Sequence, residues 1–131
     1  AEIAHANQRT YAWTDAYADS TTIDCLDENG TLHGAFAFII GEDPTYLQID
    51  DGSWLSDAPY GTIHQVASDG TIHGFFSQIV DYCWAQIPHL RVDTHADNQI
   101  MQHLIQKNGF EQRGIIYVLN HSPRIAFERV K

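Results

Sequence analysis

Short stretches of alternating hydrophobic and polar residues make up most of the chain after residue 20. Alternation with a period of two is typical of strands that bury one face. It predicts strands at Thr22–Leu26, Thr31–Ile40, Thr62–Ala67, Leu90–Thr94, Ile115–Leu119 and Ile125–Val130. Glu28-Asn29-Gly30 joins the first two as a tight turn, because asparagine and glycine tolerate a positive φ.

Hydrophobic residues recur at helical spacing in two segments between these strands. The first helix is expected over Gly74–Ile87, and Pro88 ends it. Its hydrophobic stripe comprises Phe76, Ile79, Val80, Cys83 and Ile87. The second helix is expected to begin at the N-cap Asp97 and to end at Asn108-Gly109, with glycine in the left-handed position. Its stripe comprises Ile100, Met101, Leu104 and Ile105, which we expect in the core.

The predicted order of elements from residue 21 is β-β-β-α-β-α-β-β. A strand, a helix and a strand in succession imply a right-handed parallel crossover, and the terminal hairpins imply antiparallel edges. The fold class is therefore α+β, a mixed sheet with helices on its faces, within a single domain of residues 1–131. Before residue 21, we expect one helix over Glu2–Trp13 and a loop over Asp15–Ser20.

The composition is that of a folded protein with a core, since hydrophobic residues make up 44% of 131 residues. The longest uncharged apolar run, Ala35–Gly41, is far shorter than the ~20 residues of a membrane span, and no signal peptide is visible. Cys25 and Cys83 are too few for a disulfide framework. We expect reduced thiols in a cytoplasmic protein without a membrane partner.

The chain is strongly acidic. Seven lysines and arginines stand against seventeen aspartates and glutamates, which gives a formal net charge of −10. This balance argues against nucleic acid as a partner. It also implies that an anionic ligand would be held by backbone N–H groups and a helix dipole rather than by a cluster of cations.

The junction from Val66 to Ser77 could hold such a ligand. A predicted strand leads through a short turn into the N-terminus of a helix, where backbone N–H groups lack partners. Gly74 has no Cβ and would let a pyrophosphate approach the backbone. The same sequence is also compatible with an ordinary β–α turn in which glycine only satisfies geometry.

Several segments resemble the acetyl-CoA-binding region of the GNAT superfamily of N-acetyltransferases. They are residues 63–68 (IHQVAS) followed by Gly74 and an amphipathic helix, residues 90–98 (LRVDTHADN), residues 101–104 (MQHL) and residues 107–110 (KNGF). The spacing Asn-x₅-Leu-x₄-Gly-Phe, followed by a strand, is a familiar signature of that superfamily. The resemblance covers about residues 22–130.

The resemblance implies a splayed mixed sheet with helices on both faces and acetyl-CoA as co-substrate, without a metal. The pantetheine arm would enter between two diverging strands, and the pyrophosphate would lie on the N–H groups of the following helix. The residues implied in cofactor binding are Val66, Ala67, Ser68, Thr71, His73, Gly74, Phe75, Phe76, Ser77 and Asn98. The chain departs from the family at Phe76, where a small residue is usual, and at Ile105, where many members have a tyrosine acid. Only about twenty residues precede the first hairpin, so we expect an abbreviated N-terminus.

The expected reaction needs a base that takes a proton from an amine. His64 is the best candidate because it lies on the strand beside the expected cleft, and Tyr117 is a candidate proton donor. A hydrogen-bonded strand histidine and an ordinary strand aromatic are the alternatives for these two. His95 and His103 are further candidates, while the eight histidines match no standard metal-ligand spacing.

The long connection over residues 42–60 is acidic. Its carboxylates are Glu42, Asp43, Asp50, Asp51 and Asp57. They form either a solvated loop or the wall of an acceptor site that attracts an amine.

The sequence thus favours an acetyl-CoA-dependent N-acetyltransferase acting on a primary amine of a small molecule, peptide or protein. The alternative is a non-catalytic domain of the same fold that binds acyl-CoA or another small ligand. A third interpretation is an acidic interaction module without a ligand. Exposed terminal strands make a homodimer plausible.

Overall fold

A mixed β-sheet forms the centre of the computed structural model, which describes residues 2–6, 9–15 and 21–131. Within these residues the sheet has eight strands in the order β1-β2-β3-β4-β5-β6-β8-β7. The strands are β1 (Glu2–Ala6), β2 (Arg9–Asp15), β3 (Thr22–Asp27), β4 (Leu32–Ile40), β5 (Gly61–Ser68), β6 (His89–Thr94), β7 (Glu111–Tyr117) and β8 (Pro123–Val130). The helices are α1 (Phe75–Gln86), α2 (Gln99–Lys107) and a 3₁₀ turn at Pro44–Tyr46. The α+β class and the order of elements from β3 onward are confirmed.

Neighbouring strands are antiparallel except for β5 and β6, which run parallel and are joined by α1. This parallel pair has only two registered partners, Gly61 with Leu90 and Thr62 with Arg91. The sheet is therefore continuous at the start of β5 and open beyond it.

The predicted helix over Glu2–Trp13 is wrong, because β1 and β2 form an antiparallel pair and β2 continues onto β3. Tyr11 and Trp13 lie two residues apart, and each is 1% exposed. Their alternation is that of a strand with one buried face. The Trp13 ring stacks on Phe75 of α1 at a centroid distance of 5.7 Å. Of the loop predicted over Asp15–Ser20, Asp15 ends β2 and residues 16–20 lie outside the described residues.

Both helices pack into one core cluster, which differs from the expected helices on both faces of the sheet. Ile79 and Val80 of α1 and Ile105 of α2 share this cluster with Val92 and Phe127 of the sheet. The chain moves in one direction across the sheet from β5 to β6 to β7. Right-handed crossovers made in one direction place their helices on the same face.

The opposite face is covered by the connection over residues 42–60. Its aromatic residues Tyr46 and Tyr60 are buried against Ile116 and Ala126 of β7 and β8. The connection also runs along the outer edge of β7, where Asp50 and Ile115 exchange two backbone hydrogen bonds of 2.8 Å. A Cβ at Gly52 would overlap the carbonyl of Arg113, so glycine is what allows the two backbones to lie this close.

The helix ends differ slightly from expectation. Asn98, rather than Asp97, caps α2 by accepting a 3.0 Å hydrogen bond from the N–H of Met101. Ile100, predicted in the core, is 79% exposed, while Ile105 is fully buried. Gly109 has a φ of +87° after the helix, as predicted for a left-handed terminator.

Both cysteines are free and buried. Burial raises the pKa of the Cys25 thiol to about 11 and raises the pKa of Cys83 as well. Neither thiol is therefore poised as a nucleophile.

Neither of the helices in the described part of the chain is long and apolar enough to cross a membrane.

Candidate functional site

A cleft opens where β5 and β6 stop pairing. It has a volume of about 400 Å³ and lies between residues 63–66 of β5 and residues 92–94 of β6. Gln65 has a φ of +54°, and the pairing of β5 with β4 shifts register beside it. Such a bulge bends a strand, and here it accompanies the divergence of β5 from β6. We call this space the β5–β6 cleft; it confirms the splayed sheet.

The side of β5 that faces the cleft is an open strand edge. Ala67 and Ser68 pair with β4 on the other side, and among the described residues no strand pairs with β5 beyond Thr62 toward β6. Val66 lines the cleft, and Asn98 lines it from the start of α2. An extended ligand with amide groups could hydrogen-bond to this edge as an added strand does.

The N-terminus of α1 lies at the end of the loop that follows β5. Gly74 is its N-cap with a φ of +66°, and no side chain caps the helix. A Cβ placed on Gly74 would meet no atom within 4 Å, so the space beside it is open. An uncapped helix end of this kind offers backbone N–H groups and a partial positive charge to an anion.

The side chains at the end of this loop and in the first turn of α1 differ in burial. Phe76 is 5% exposed and packs in the core, so its bulk does not fill the cleft. Phe75 is also buried in the core, Ser77 is half-buried, and Thr71 and His73 are exposed. The bulk of Phe76 therefore lies in the core, and the space beside Gly74 stays open.

A second cavity of about 640 Å³ adjoins the cleft, and the two share His64, Gln65, Asp93 and Val118. Asp43 and Asp93 make its wall acidic, while Ile39, Val118 and Leu119 supply apolar surface. We call it the acidic cavity. An extended ligand in the cleft and a cationic ligand in the acidic cavity would meet beside His64.

His64 is paired with Asp43 at a distance of 2.9 Å between Nε2 and Oδ2. Burial raises the pKa of Asp43, but hydrogen bonds from Thr45 and His64 outweigh it and hold the pKa below its ordinary value. Because a carboxylate only accepts hydrogen bonds, Nε2 of His64 carries the proton. In the neutral imidazole, Nδ1 then keeps its lone pair and can accept a proton.

Asp93 lies at the junction of the two spaces and is held by Tyr46. The Tyr46 hydroxyl donates a 2.6 Å hydrogen bond to Oδ1 of Asp93. Burial, with the charge of Asp93, raises the pKa of Tyr46 well above its ordinary value, so the phenol stays a donor. This bond fixes a carboxylate that, like His64, lines both spaces.

Solved structures with a similar fold include GNAT-family acetyltransferases. A GNAT-family acetyltransferase from Streptococcus agalactiae is 28% identical and aligns over 85% of this chain and 65% of its own, with a TM-score of 0.73. A GNAT-family acetyltransferase from Listeria monocytogenes aligns over 98% of this chain and 99% of its own at 11% identity, also with a TM-score of 0.73. The chain has the fold of GNAT-family acetyltransferases.

The chain also resembles an aminoglycoside acetyltransferase, AAC(6')-Ib, whose structure contains coenzyme A and kanamycin. This match has a TM-score of 0.56 at 17% identity and covers 87% of this chain and 69% of that one. The chain spans slightly less than two thirds of the streptococcal protein. No protein-family model and no curated protein matches the sequence.

The structure brings only part of the predicted catalytic set to the cleft. His64 lines both the cleft and the acidic cavity. Tyr117 is 44% exposed and lines a separate depression beside Leu47 and His121. His95 and His103 are exposed and line neither space. The role of Tyr117 as proton donor stays a prediction that its position does not favour.

The acidic connection divides its carboxylates between different surroundings. Asp43 faces the acidic cavity, whereas Glu42 and Asp57 line another depression, of about 500 Å³, beside Trp54 and Arg91. In the described part of the chain, no group of three histidine, cysteine or acidic side chains is arranged to hold a metal ion. Sequence reasoning anticipated an acidic wall but missed Asp93 and Tyr46, because nothing local marks a contact between residues 47 positions apart.

Proposed function

We propose that this GNAT domain is an acetyl-CoA-dependent N-acetyltransferase that acts on a primary amine of a small molecule or peptide. The observation that carries the proposal is the β5–β6 cleft, which leads from an open strand edge to an acidic cavity. The coenzyme A bound to the structurally similar aminoglycoside acetyltransferase supports the same use of the fold.

The donor side fits a ligand with an amide arm and a diphosphate. Acetyl-CoA would supply an acetyl group activated as a thioester. The edge of β5 at Val66 would hold the amide arm, and the N–H groups that follow Gly74 would hold the diphosphate. Binding through the backbone suits a chain with a net charge of −10, in which few cations are available.

The acceptor side fits an amine that carries an apolar body. Asp93 would attract the ammonium group, and Ile39 and Leu119 would contact the hydrocarbon part. His64 would take the proton through Nδ1, and Asp43 would stabilise the resulting imidazolium through Nε2. The neutral amine would then attack the thioester carbonyl directly, the C–S bond would break, and the coenzyme A thiolate would leave and take up the proton that the new amide nitrogen releases. Direct attack needs no acyl-cysteine intermediate, and neither thiol is available to form one, because both are buried.

Calorimetric titration with acetyl-CoA and with coenzyme A tests the donor site, and thiol release across a panel of primary amines tests the reaction. We expect binding of both ligands and turnover with at least one amine. Binding without turnover on any amine would favour the alternative, a non-catalytic domain that binds acyl-CoA. Absence of binding at millimolar ligand would contradict both.

We expect Gly74→Val to weaken acetyl-CoA binding about tenfold or more, because its side chain would fill the open space beside the helix N-terminus. The substitution also strains the backbone, since φ at this residue is +66°. Gly109→Val is the matched control, because Gly109 has a φ of +87° at the far end of α2. Equal acetyl-CoA affinity in the two folded variants would refute the diphosphate placement.

A further inference from the structure

A buried histidine connects the loop before α1 to the β3–β4 hairpin. His33 of β4 is 8% exposed, and its ring lies between two carboxylates. Its Nε2 is 2.8 Å from Oδ2 of Asp27, and its Nδ1 is 2.7 Å from Oδ2 of Asp69. Nδ1 is also 3.1 Å from the hydroxyl of Thr71.

Asp69 in turn shapes the start of the loop. Its Oδ1 accepts hydrogen bonds from the N–H of Thr71 at 2.9 Å and from the hydroxyl of Thr71 at 2.6 Å. Its backbone N–H donates a 2.9 Å hydrogen bond to the carbonyl of His33. The loop between β5 and α1 is therefore anchored to β4 by the contacts of Asp69 with His33.

The geometry requires a doubly protonated ring. A neutral imidazole has a single N–H and cannot donate to two carboxylates at once, whereas an imidazolium can. Hydrogen bonds to Asp27 and Asp69 raise the pKa of His33, and burial only partly opposes them. The hydrogen bond from His33 lowers the pKa of Asp27 to about 2, and that from the Thr71 hydroxyl leads the lowering of Asp69 to about 2.

Two neutral side chains of the described residues also lie beside this group. The Tyr11 ring of β2 packs edge-on against His33 at a centroid distance of 5.5 Å. The pKa of the Cys25 thiol of β3 is raised to about 11, chiefly by burial and secondly by the charge of Asp69, so the thiol is neutral. Among the described contacts of the ring, the two carboxylates are the groups that favour its second proton.

We propose that His33 is a positioning residue for the diphosphate of acetyl-CoA. Its imidazolium anchors the loop before α1 through Asp69 and offsets the negative charge of Asp69. The inference rests on the proposed function, because it assigns the ligand of the α1 N-terminus. It adds that the affinity for acetyl-CoA depends on the second proton of His33, a residue that does not itself contact the ligand.

The sign of the pH dependence follows from the raised pKa of the histidine. At a pH below the ordinary pKa of histidine, the His33 ring is charged and both ion pairs are intact. As pH rises through the folded-state pKa, the ring loses a proton and one carboxylate loses its donor. The loop is then less firmly anchored, and an additional net negative charge faces an anionic ligand. Acetyl-CoA affinity should therefore fall as pH rises.

The test is calorimetric titration of acetyl-CoA at several pH values from 6 to 9. We expect the dissociation constant of the wild-type protein to rise roughly three- to tenfold over this range. His33→Gln should show weaker binding at pH 6 and a flatter profile. His103→Gln, which changes an exposed histidine on α2, should keep the wild-type profile. Pantetheine, which lacks the phosphates, should bind both variants and the wild type equally.

Asp27→Asn provides an independent variant if His33→Gln does not fold. The asparagine oxygen can still accept the hydrogen bonds that Asp27 takes from the N–H groups of Asn29 and Thr31. Loss of one carboxylate lowers the pKa of His33, so the midpoint of the affinity profile should move to lower pH. A purely structural role would not move this midpoint.

The outcomes separate this inference from the proposed function. If acetyl-CoA binds with the same pH profile in the wild type, His33→Gln and Asp27→Asn, the inference is wrong and the proposed function stands. If acetyl-CoA binds to none of the proteins at any pH, both fail. Equal weakening of acetyl-CoA and pantetheine in His33→Gln would also overturn the assignment to the diphosphate.

Discussion

Replacement of His64 by glutamine should lower kcat for amine acetylation about 100-fold or more, with the affinity for acetyl-CoA nearly unchanged. Glutamine keeps a polar side chain between the cleft and the acidic cavity but cannot accept the proton of an ammonium group. Asp43→Asn should cause a smaller loss, about tenfold, because it weakens the stabilisation of the imidazolium while the base remains. Steady-state kinetics with the amine found in the panel measures both effects.

His103→Gln is the control for this pair, because it changes a histidine that lines neither the cleft nor the acidic cavity. It should keep the wild-type kcat. Wild-type turnover in folded His64→Gln would show that the amine is deprotonated by another group and would remove His64 from the mechanism.

Glu128→Ala should reduce the free energy of unfolding by roughly 3–5 kcal/mol. Glu128 is fully buried, with Oε2 lying 2.6 Å from Nε2 of His89 and 3.1 Å from Nε of Arg91. Its Oε1 also accepts a hydrogen bond from the N–H of Leu55. Removal of the carboxylate leaves a buried guanidinium and a buried imidazole without their acidic partner. Urea unfolding followed by tryptophan fluorescence measures the loss.

Glu111→Ala is the matched surface control. Glu111 also pairs with an arginine, Arg113, but at 3.5 Å and with an exposed carboxylate. Its replacement should cost less than about 1 kcal/mol, as exposed ion pairs usually do. Similar losses for the two variants would mean that the buried network adds nothing beyond an ordinary surface pair.

The network around Glu128 matters for the site because it holds the connection over residues 42–60. Arg91 lies between the rings of Trp54 and Tyr60, at 4.0 and 3.9 Å from their centroids, and donates to the carbonyl of Ser56. The same connection carries Asp43 into the acidic cavity. The position of Asp43, and with it the orientation of its partner His64, therefore depends on the buried carboxylate of Glu128.

Most of the fold after residue 21 could be predicted from the sequence, because its strands and helices have different hydrophobic periods. The hairpin turn at Gly30 and the terminator Gly109 carry local signals that the structure bears out with positive φ values. The pair Tyr11 and Trp13 has the spacing of a strand, but two aromatics in a short polar segment are too few to establish a period. Pairing with β3 decides the matter, and pairing is a long-range property.

The candidate site shows the same division. The resemblance located the β5–α1 junction and His64, because those residues are contiguous in the sequence. The contacts that tune the site join residues far apart: His33 with Asp69, His64 with Asp43, and Tyr46 with Asp93. Each links positions more than twenty residues apart, and composition alone could not say which of seventeen carboxylates pairs with which partner.

The two ends of the sheet are unequal as surfaces for self-association. At β7, residues near Asp50 already occupy backbone hydrogen-bonding groups that a strand from a second molecule would need. A dimer that extends the sheet from that end would first have to displace a segment of the connection that also lines the acidic cavity. An intermolecular sheet built at β7 would therefore displace this segment and disturb the acidic cavity.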